Sequence, residues 1–181
     1  MLVKEQLVLM SRYNTWMNHR LYETVRALTP AEFTQDRKAF FGSICGTLNH
    51  LAVADTIWLK RFAVHSEAFI ALDSVRQLGM PSALDEILFS EFVALRNYRQ
   101  YLDGVIEQWV DSLTDADLDS VLHYASMKGI TARKILGQVL FHFFNHQTHH
   151  RGQVTSLLVQ CGLDMGATDL LLLVPDQALM E

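Results

Sequence analysis

Four stretches of this chain carry apolar residues in alternating steps of three and four, the spacing of a helix with one face packed. The first seam runs Val3, Leu7, Met10, Asn14, Met17, Leu21, and the second Ile44, Leu48, Leu51, Asp55, Trp58, Phe62. The third runs Leu84, Leu88, Glu91, Leu95, Tyr98, Leu102, Val105, Trp109 and is opened by Pro81-Ser82. The fourth runs Leu136, Leu140, Phe143, Gln147, His150, Val154, Leu157, Cys161, with Gly162 placed to close it. Only 3 Pro and 9 Gly interrupt 181 residues, so long helices can persist. At about 150 residues per domain, one domain over 1–181 is expected, large enough to bury a full core. Four such helices predict an all-α fold, a four-helix bundle.

The connections are less regular. Thr29-Pro30-Ala31-Glu32 reads as an N-cap, a proline at N1 and an acidic first turn, so a short helix opens there. The link from about 65 to 80 is long for a hairpin, so the third helix is not expected simply to run antiparallel beside the second. A short irregular segment, Asp111 to Gly129, precedes the last helix and includes an extended piece at Val121–Ala125. The tail from Leu163 to Glu181 reads as irregular, anchored at Leu170–Val174.

Fifteen Lys and Arg against twenty Asp and Glu leave a net charge of −5. That balance gives no electrostatic footprint for nucleic acid, and no basic amphipathic helix for an anionic membrane. Half the residues are apolar, which excludes disorder. The N-terminus lacks the basic and apolar regions of a signal peptide, and no apolar run approaches the roughly 20 residues of a membrane span. Cys45 and Cys161 form no CxxC pair and suit small buried hydrophobes. A soluble cytoplasmic protein is the expectation.

Each seam carries polar groups where apolar ones belong: Asn14, Asp55, Glu91, then Gln147 and His150. A buried charge needs a partner. Asn14 and Glu91 have a plain alternative, a solvated seam end. Asp55, between Leu51 and Trp58, is harder to dismiss and is a candidate to hydrogen-bond and orient a histidine.

The chain has eight histidines, and four crowd into His142–His150. At about 100° per residue, with His142 at zero, the apolar stripe of the fourth helix centres near 100°. His150 falls at about 80° and His146 at about 40°, facing inward, while His149 at about 340° and His142 point away. His146 and His150 are thus an i, i+4 pair whose imidazoles can share one cation; two separately hydrogen-bonded histidines are the alternative. A catalytic zinc-type site takes three protein ligands and keeps one position open. The third ligand stays open at this point: His50 flanks the second seam, while His19, His65 and His123 are less well placed. No ExxH, HExxH, CxxCH, GxSxG, P-loop or GxGxxG occurs, which excludes di-metal ferritin-like, zincin, covalent-haem, nucleophile-elbow serine hydrolase and nucleotide-binding readings.

Asn145-His146-Gln147-Thr148-His149-His150-Arg151-Gly152-Gln153 resembles the NHxxHHRGQ signature of the DinB family of small metal-binding bundles. Leu48-Asn49-His50 through Trp58-Leu59 is similar to that family's second-helix motif, a histidine followed eight residues later by tryptophan. Tyr13–Asn18 and Thr168–Leu171 resemble its first-helix and C-terminal motifs. The resemblance spans nearly the whole chain. It implies a DinB-type four-helix bundle with a long crossover link, often a homodimer. It also implies one divalent ion, nickel or zinc, held by His50, His146 and His150. Members of the family include thiol-dependent S-transferases and isomerases, and others known only as stress- or DNA-damage-inducible.

Two functions follow. One is a metal-dependent enzyme, thiol transferase-like or hydrolase-like, acting on a small molecule with a thiol cosubstrate. Three neutral histidines would leave the ion's charge on an open face, where it acidifies water or a thiol. Asp55 would be the orienting group, and Arg151 either supports the geometry or faces solvent. The pocket over the ion would be built from the first helix, the 65–80 link and the tail. The other function is a non-catalytic stress-response protein whose metal stabilises the bundle or its dimer. Trp16 and Phe144 read as core residues, with a dimer face as the alternative.

Overall fold

The computed structural model describes residues 3–176. Residues 1–2 and 177–181, the ends of the expected single domain and of its irregular tail, lie outside the described residues. The helices are α1 (Val3–Val25), α2 (Pro30–Thr34), α3 (Ile44–His65), α4 (Asp73–Arg76), α5 (Phe92–Ser112), α6 (Asp115–Asp119) and α7 (Leu136–Gln160). A two-stranded antiparallel sheet, β1 (Val121–Ala125) and β2 (Thr131–Ile135), leads into α7. The fold is therefore mostly helical, with one small hairpin. No helix among the described residues is long and apolar enough to cross a membrane.

The four seams become α1, α3, α5 and α7. Helix α1 packs on α5 and α7, and α3 packs on the same two. Side-chain pairs give the directions. Arg96 meets Glu23 and Asp103 meets Asn14, so α5 runs antiparallel to α1. Asp55 meets Arg99 and Phe62 stacks on Trp109, so α5 runs parallel to α3. His50 meets His146 and Trp58 meets His142, so α7 runs antiparallel to α3. Parallel neighbours explain the long link: at 1.5 Å per residue the chain must travel back about 30 Å before α5 can start. It does so through a 3-10 turn at Ile70–Leu72, α4, and an irregular stretch over 77–91.

Helix α3 is the axis of the molecule, with every residue from Ile44 to Ile57 buried. Its start is built by Ser43, whose hydroxyl accepts from the Gly46 N–H at 2.9 Å. Gly46 is required there: a Cβ would sit 2.1 Å from the Phe41 carbonyl oxygen. That close approach brings the 39–43 loop down over the first turns of α3. The short helix α2 has the expected cap, with Thr29 and Glu32 bonded reciprocally. Helix α7 ends in a Schellman motif: Gly162 has φ +75°, Leu163 N–H bonds Leu158 O, and Gly162 N–H bonds Val159 O. The tail lies along α1, where Tyr13 donates to Thr168 O and Arg20 to Met165 O.

Two expectations are corrected. The third helix begins at Phe92, not near Pro81, because the backbone before it is bonded elsewhere. The Asn49 side chain accepts from Phe89 N–H at 3.0 Å and donates to Phe89 O at 2.9 Å, holding that residue as a strand neighbour would. The Leu84 carbonyl is likewise taken by His50. Leu84, Leu88 and Glu91 therefore lie outside the helix interior, and Glu91 is exposed at its start. The segment before α7 is more ordered than expected. Its extended piece is β1, β2 was not anticipated, and Thr114-Asp115-Ala116-Asp117 opens a helical turn with its own capping box.

Trp16 is half-buried against the core and Phe144 is fully buried, which favours the core reading of both. Cys45 is buried, Cys161 is half-buried, and both are free thiols.

Candidate metal centre

His50 stands in the second turn of α3, and His146 and His150 stand one turn apart in the middle of α7. The antiparallel packing of these two helices brings one ring nitrogen from each to within 4.8 Å of the others. His50 Nε2 lies 3.2 Å from His146 Nε2. His50 and His150 are buried, and His146 is half-buried. His142 and His149 are exposed, as the helical phase predicts. His19, His65 and His123 are not among the convergent three, and His65 Nε2 instead meets Ser120 Oγ at 2.8 Å.

Their partners settle the tautomers of two of the rings. A carbonyl oxygen can only accept, so His50 Nδ1, 2.8 Å from Leu84 O, carries the proton. His150 Nδ1 is 2.8 Å from Gln153 Oε1 and carries its proton for the same reason. In each neutral ring Nε2 is then a bare lone pair. The Gln153 amide is oriented in turn, its Nε2 lying 3.3 Å from His149 Nε2. Phe41 covers the group, its ring stacked on His50 at 3.8 Å and 16°, with its edge toward His150.

Electrostatics keep the three rings neutral. Burial is the largest influence on each. His146 is pushed down to about 3, with the neighbouring imidazoles adding to the effect. His50 and His150 also fall below the ordinary histidine value. Three uncharged imidazoles with converging ring nitrogens are the donor set of a borderline divalent cation. Two nitrogens on one tetrahedral ion at about 2.0–2.1 Å lie about 3.3 Å apart, close to the His50–His146 spacing. The residues fit such an ion.

Beside the histidines lies a buried polar network that links α1, α3, α5 and α7. Arg99 holds Asp55 at 2.6 Å and Asp103 at 3.0 Å. Asp103 accepts from Asn18 at 2.8 Å and Asn14 at 3.2 Å. Arg151 donates to Asn14 and Asn18, and its guanidinium lies 5.6 Å from the centre of the Tyr13 ring. Two carboxylates face two guanidinium groups, so the buried charges balance. Burial raises Asp55 above the ordinary carboxylate range and pushes Asp103 up to about 6. Burial lowers Arg151 to about 10.

This network corrects the role expected of Asp55. It lies five residues after His50, about 140° round the helix, and its carboxylate is taken by Arg99. The groups that orient the histidines are the Leu84 carbonyl and Gln153. Arg151 does not face solvent; it is 2% exposed, because α1 closes over that side of α7. Asn145 is exposed. The residues found over the cluster are Phe41 and Leu84, from the segments before α3 and α5. Arg99 and Asp103 escaped the seam reading, although they are an i, i+4 pair of opposite charge, as Asn14 and Asn18 are an i, i+4 pair of amides. Phe41 carried no sequence signal.

The protein-family model for the DinB family matches residues 1–177. The chain belongs to the DinB family. Its sequence is also similar to Protein DinB of Bacillus subtilis (strain 168), with 26% identity over 157 residues, 87% of each chain. No solved structure matches. Within this DinB chain, the signature Asn145–Gln153 supplies both α7 members of the histidine cluster, the glutamine that orients one of them, and the arginine that ties α7 to α1.

Proposed function

We propose that this DinB protein binds one divalent metal ion, nickel or zinc, through His50, His146 and His150. We further propose that it uses the ion as a metal-dependent enzyme on a small molecule, with a low-molecular-weight thiol as cosubstrate. The observation that carries the reading is the convergence of three uncharged imidazoles, two with Nδ1 protons already engaged by Leu84 O and Gln153. Three ligands suit a catalytic site better than a closed structural one, which takes four. Once bound, the ion would supply Lewis acidity to water or a thiol at its open face.

The protein's own residues would present and hold that site. The Leu84 carbonyl and Gln153 fix ring orientation, Phe41 excludes water from one side, and the Arg99–Asp103–Arg151 network ties the helices together beneath it. The helix directions support a four-helix bundle with a long crossover as the architecture, built as one domain over 1–181. A cytoplasmic homodimer with no nucleic-acid or membrane partner completes the reading, supported by the acidic balance.

The test is metal content together with activity. About one ion per chain is expected, lost in His146→Ala. Transfer activity with a panel of small thiols should disappear in His150→Ala and persist in His149→Ala. Metal without activity in any thiol or hydrolytic assay would favour the non-catalytic reading, in which the ion stabilises the bundle.

A further inference from the structure

A cleft opens between α3, the link around Arg76–Met80 and the β1–β2 hairpin, with a volume of about 830 Å³. That is in the range of small-molecule sites. Its walls are apolar at Ile57, Val64, Met80 and Met127. Among the described residues no carboxylate lines it, although the chain as a whole carries a net charge of −5.

Three cations line this cleft, and two of them are spent. Lys60 Nζ donates to the carbonyls of Val75, Arg76 and Leu78. Arg76 is held by Asp73 and by the carbonyls of Ala63, Ser66 and Phe69. Arg61 is different. Its guanidinium carbon lies 4.6 Å from the centre of the Trp58 ring and 5.2 Å from that of Tyr124. It has no hydrogen-bond or ion-pair partner among the described residues. Stacking on aromatic faces pre-orients the fork and leaves its N–H edge for a bidentate acceptor. Half-burial without a counterion is unfavourable for Arg61, and burial lowers its pKa. An incoming anion would relieve that cost.

We propose that this cleft binds an organic carboxylate with an apolar body, its carboxylate paired with Arg61 and its body against Val64, Met80 and Met127. A single free guanidinium matches one negative charge better than the two of a phosphate monoester. The site is separate from the histidine cluster: Arg61 lies eleven residues beyond His50, about 16 Å along α3.

Octanoate, with 1-octanol as its neutral counterpart, tests this by isothermal titration calorimetry on the full chain as purified. One octanoate per chain is expected, at least tenfold tighter than octanol. Arg61→Gln should weaken octanoate at least tenfold and leave octanol unchanged. Met127→Glu, at the exposed hairpin tip, should also weaken octanoate at least tenfold, by placing a like charge in the cleft and removing an apolar wall, and both variants should melt within a few degrees of the parent. His146→Ala should leave octanoate binding intact. No binding at millimolar octanoate, equal binding by Arg61→Gln, or loss of binding with His146→Ala would each overturn the proposal.

Discussion

A neutral imidazole has one proton and one lone pair, so the partner that takes the proton decides where the lone pair points. Leu84 O does this for His50 and Gln153 does it for His150. Gln153→Ala should therefore weaken metal binding by about 10–100-fold, read by competition with a chromophoric chelator, while leaving the fold intact. Proton competition gives a second outcome. His146 has a folded-state pKa of about 3 against about 6.5 unfolded. Below about pH 6.5 the unfolded chain binds the extra proton, so the metal-free protein loses stability from this residue as pH falls. Asp103 works in the opposite sense, its folded pKa of about 6 lying above the unfolded value, so the comparison must be made against a variant. Without metal, His146→Gln should gain on the parent in melting temperature between pH 7 and pH 5; a constant difference contradicts the assignment. In the network, Asp103→Asn leaves Arg99 and Arg151 facing one carboxylate, and should cost about 3–5 kcal/mol in denaturant unfolding.

At the scale of elements, the loop before α3 matters as much as the helix. Gly46 lets the Phe41 carbonyl approach α3, and so seats the Phe41 ring on His50. Gly46→Ala should lower the melting temperature and shift metal affinity together, although residue 46 is not one of the three histidines. An unchanged affinity would show that Phe41 is dispensable. How legible these elements were in sequence follows from how local their causes are. Alternating apolar steps and a terminal glycine depend on neighbours a few residues away, so α1, α3 and α7 could be read directly. The start of α5 could not, because the competitor for its backbone is Asn49, forty residues earlier. His146 and His150 were legible from phase alone. His50 needed the family motif, since only helix packing brings it opposite them. Asp55 was correctly singled out as a group that needs a partner, but its partner lies on a helix the seam reading could not align with it.

At the scale of the molecule, α3 and α5 run parallel and the ends of α3 are held by different partners, the histidines near one end and the Phe62–Trp109 stack near the other. The histidine site joins α3 to α7, and the charged network joins all four long helices. Binding an ion at three histidines should therefore stabilise the whole fold by mass action, raising the melting temperature with metal concentration and lowering it on chelation. The most direct test of the central claim is a crystal structure of unstripped protein with anomalous scattering data collected at the metal edge. The account predicts one anomalous peak per chain, about 2.0–2.1 Å from a ring nitrogen of each of His50, His146 and His150. A peak at other residues, or His50 beyond bonding distance of an ion held by His146 and His150, would contradict it.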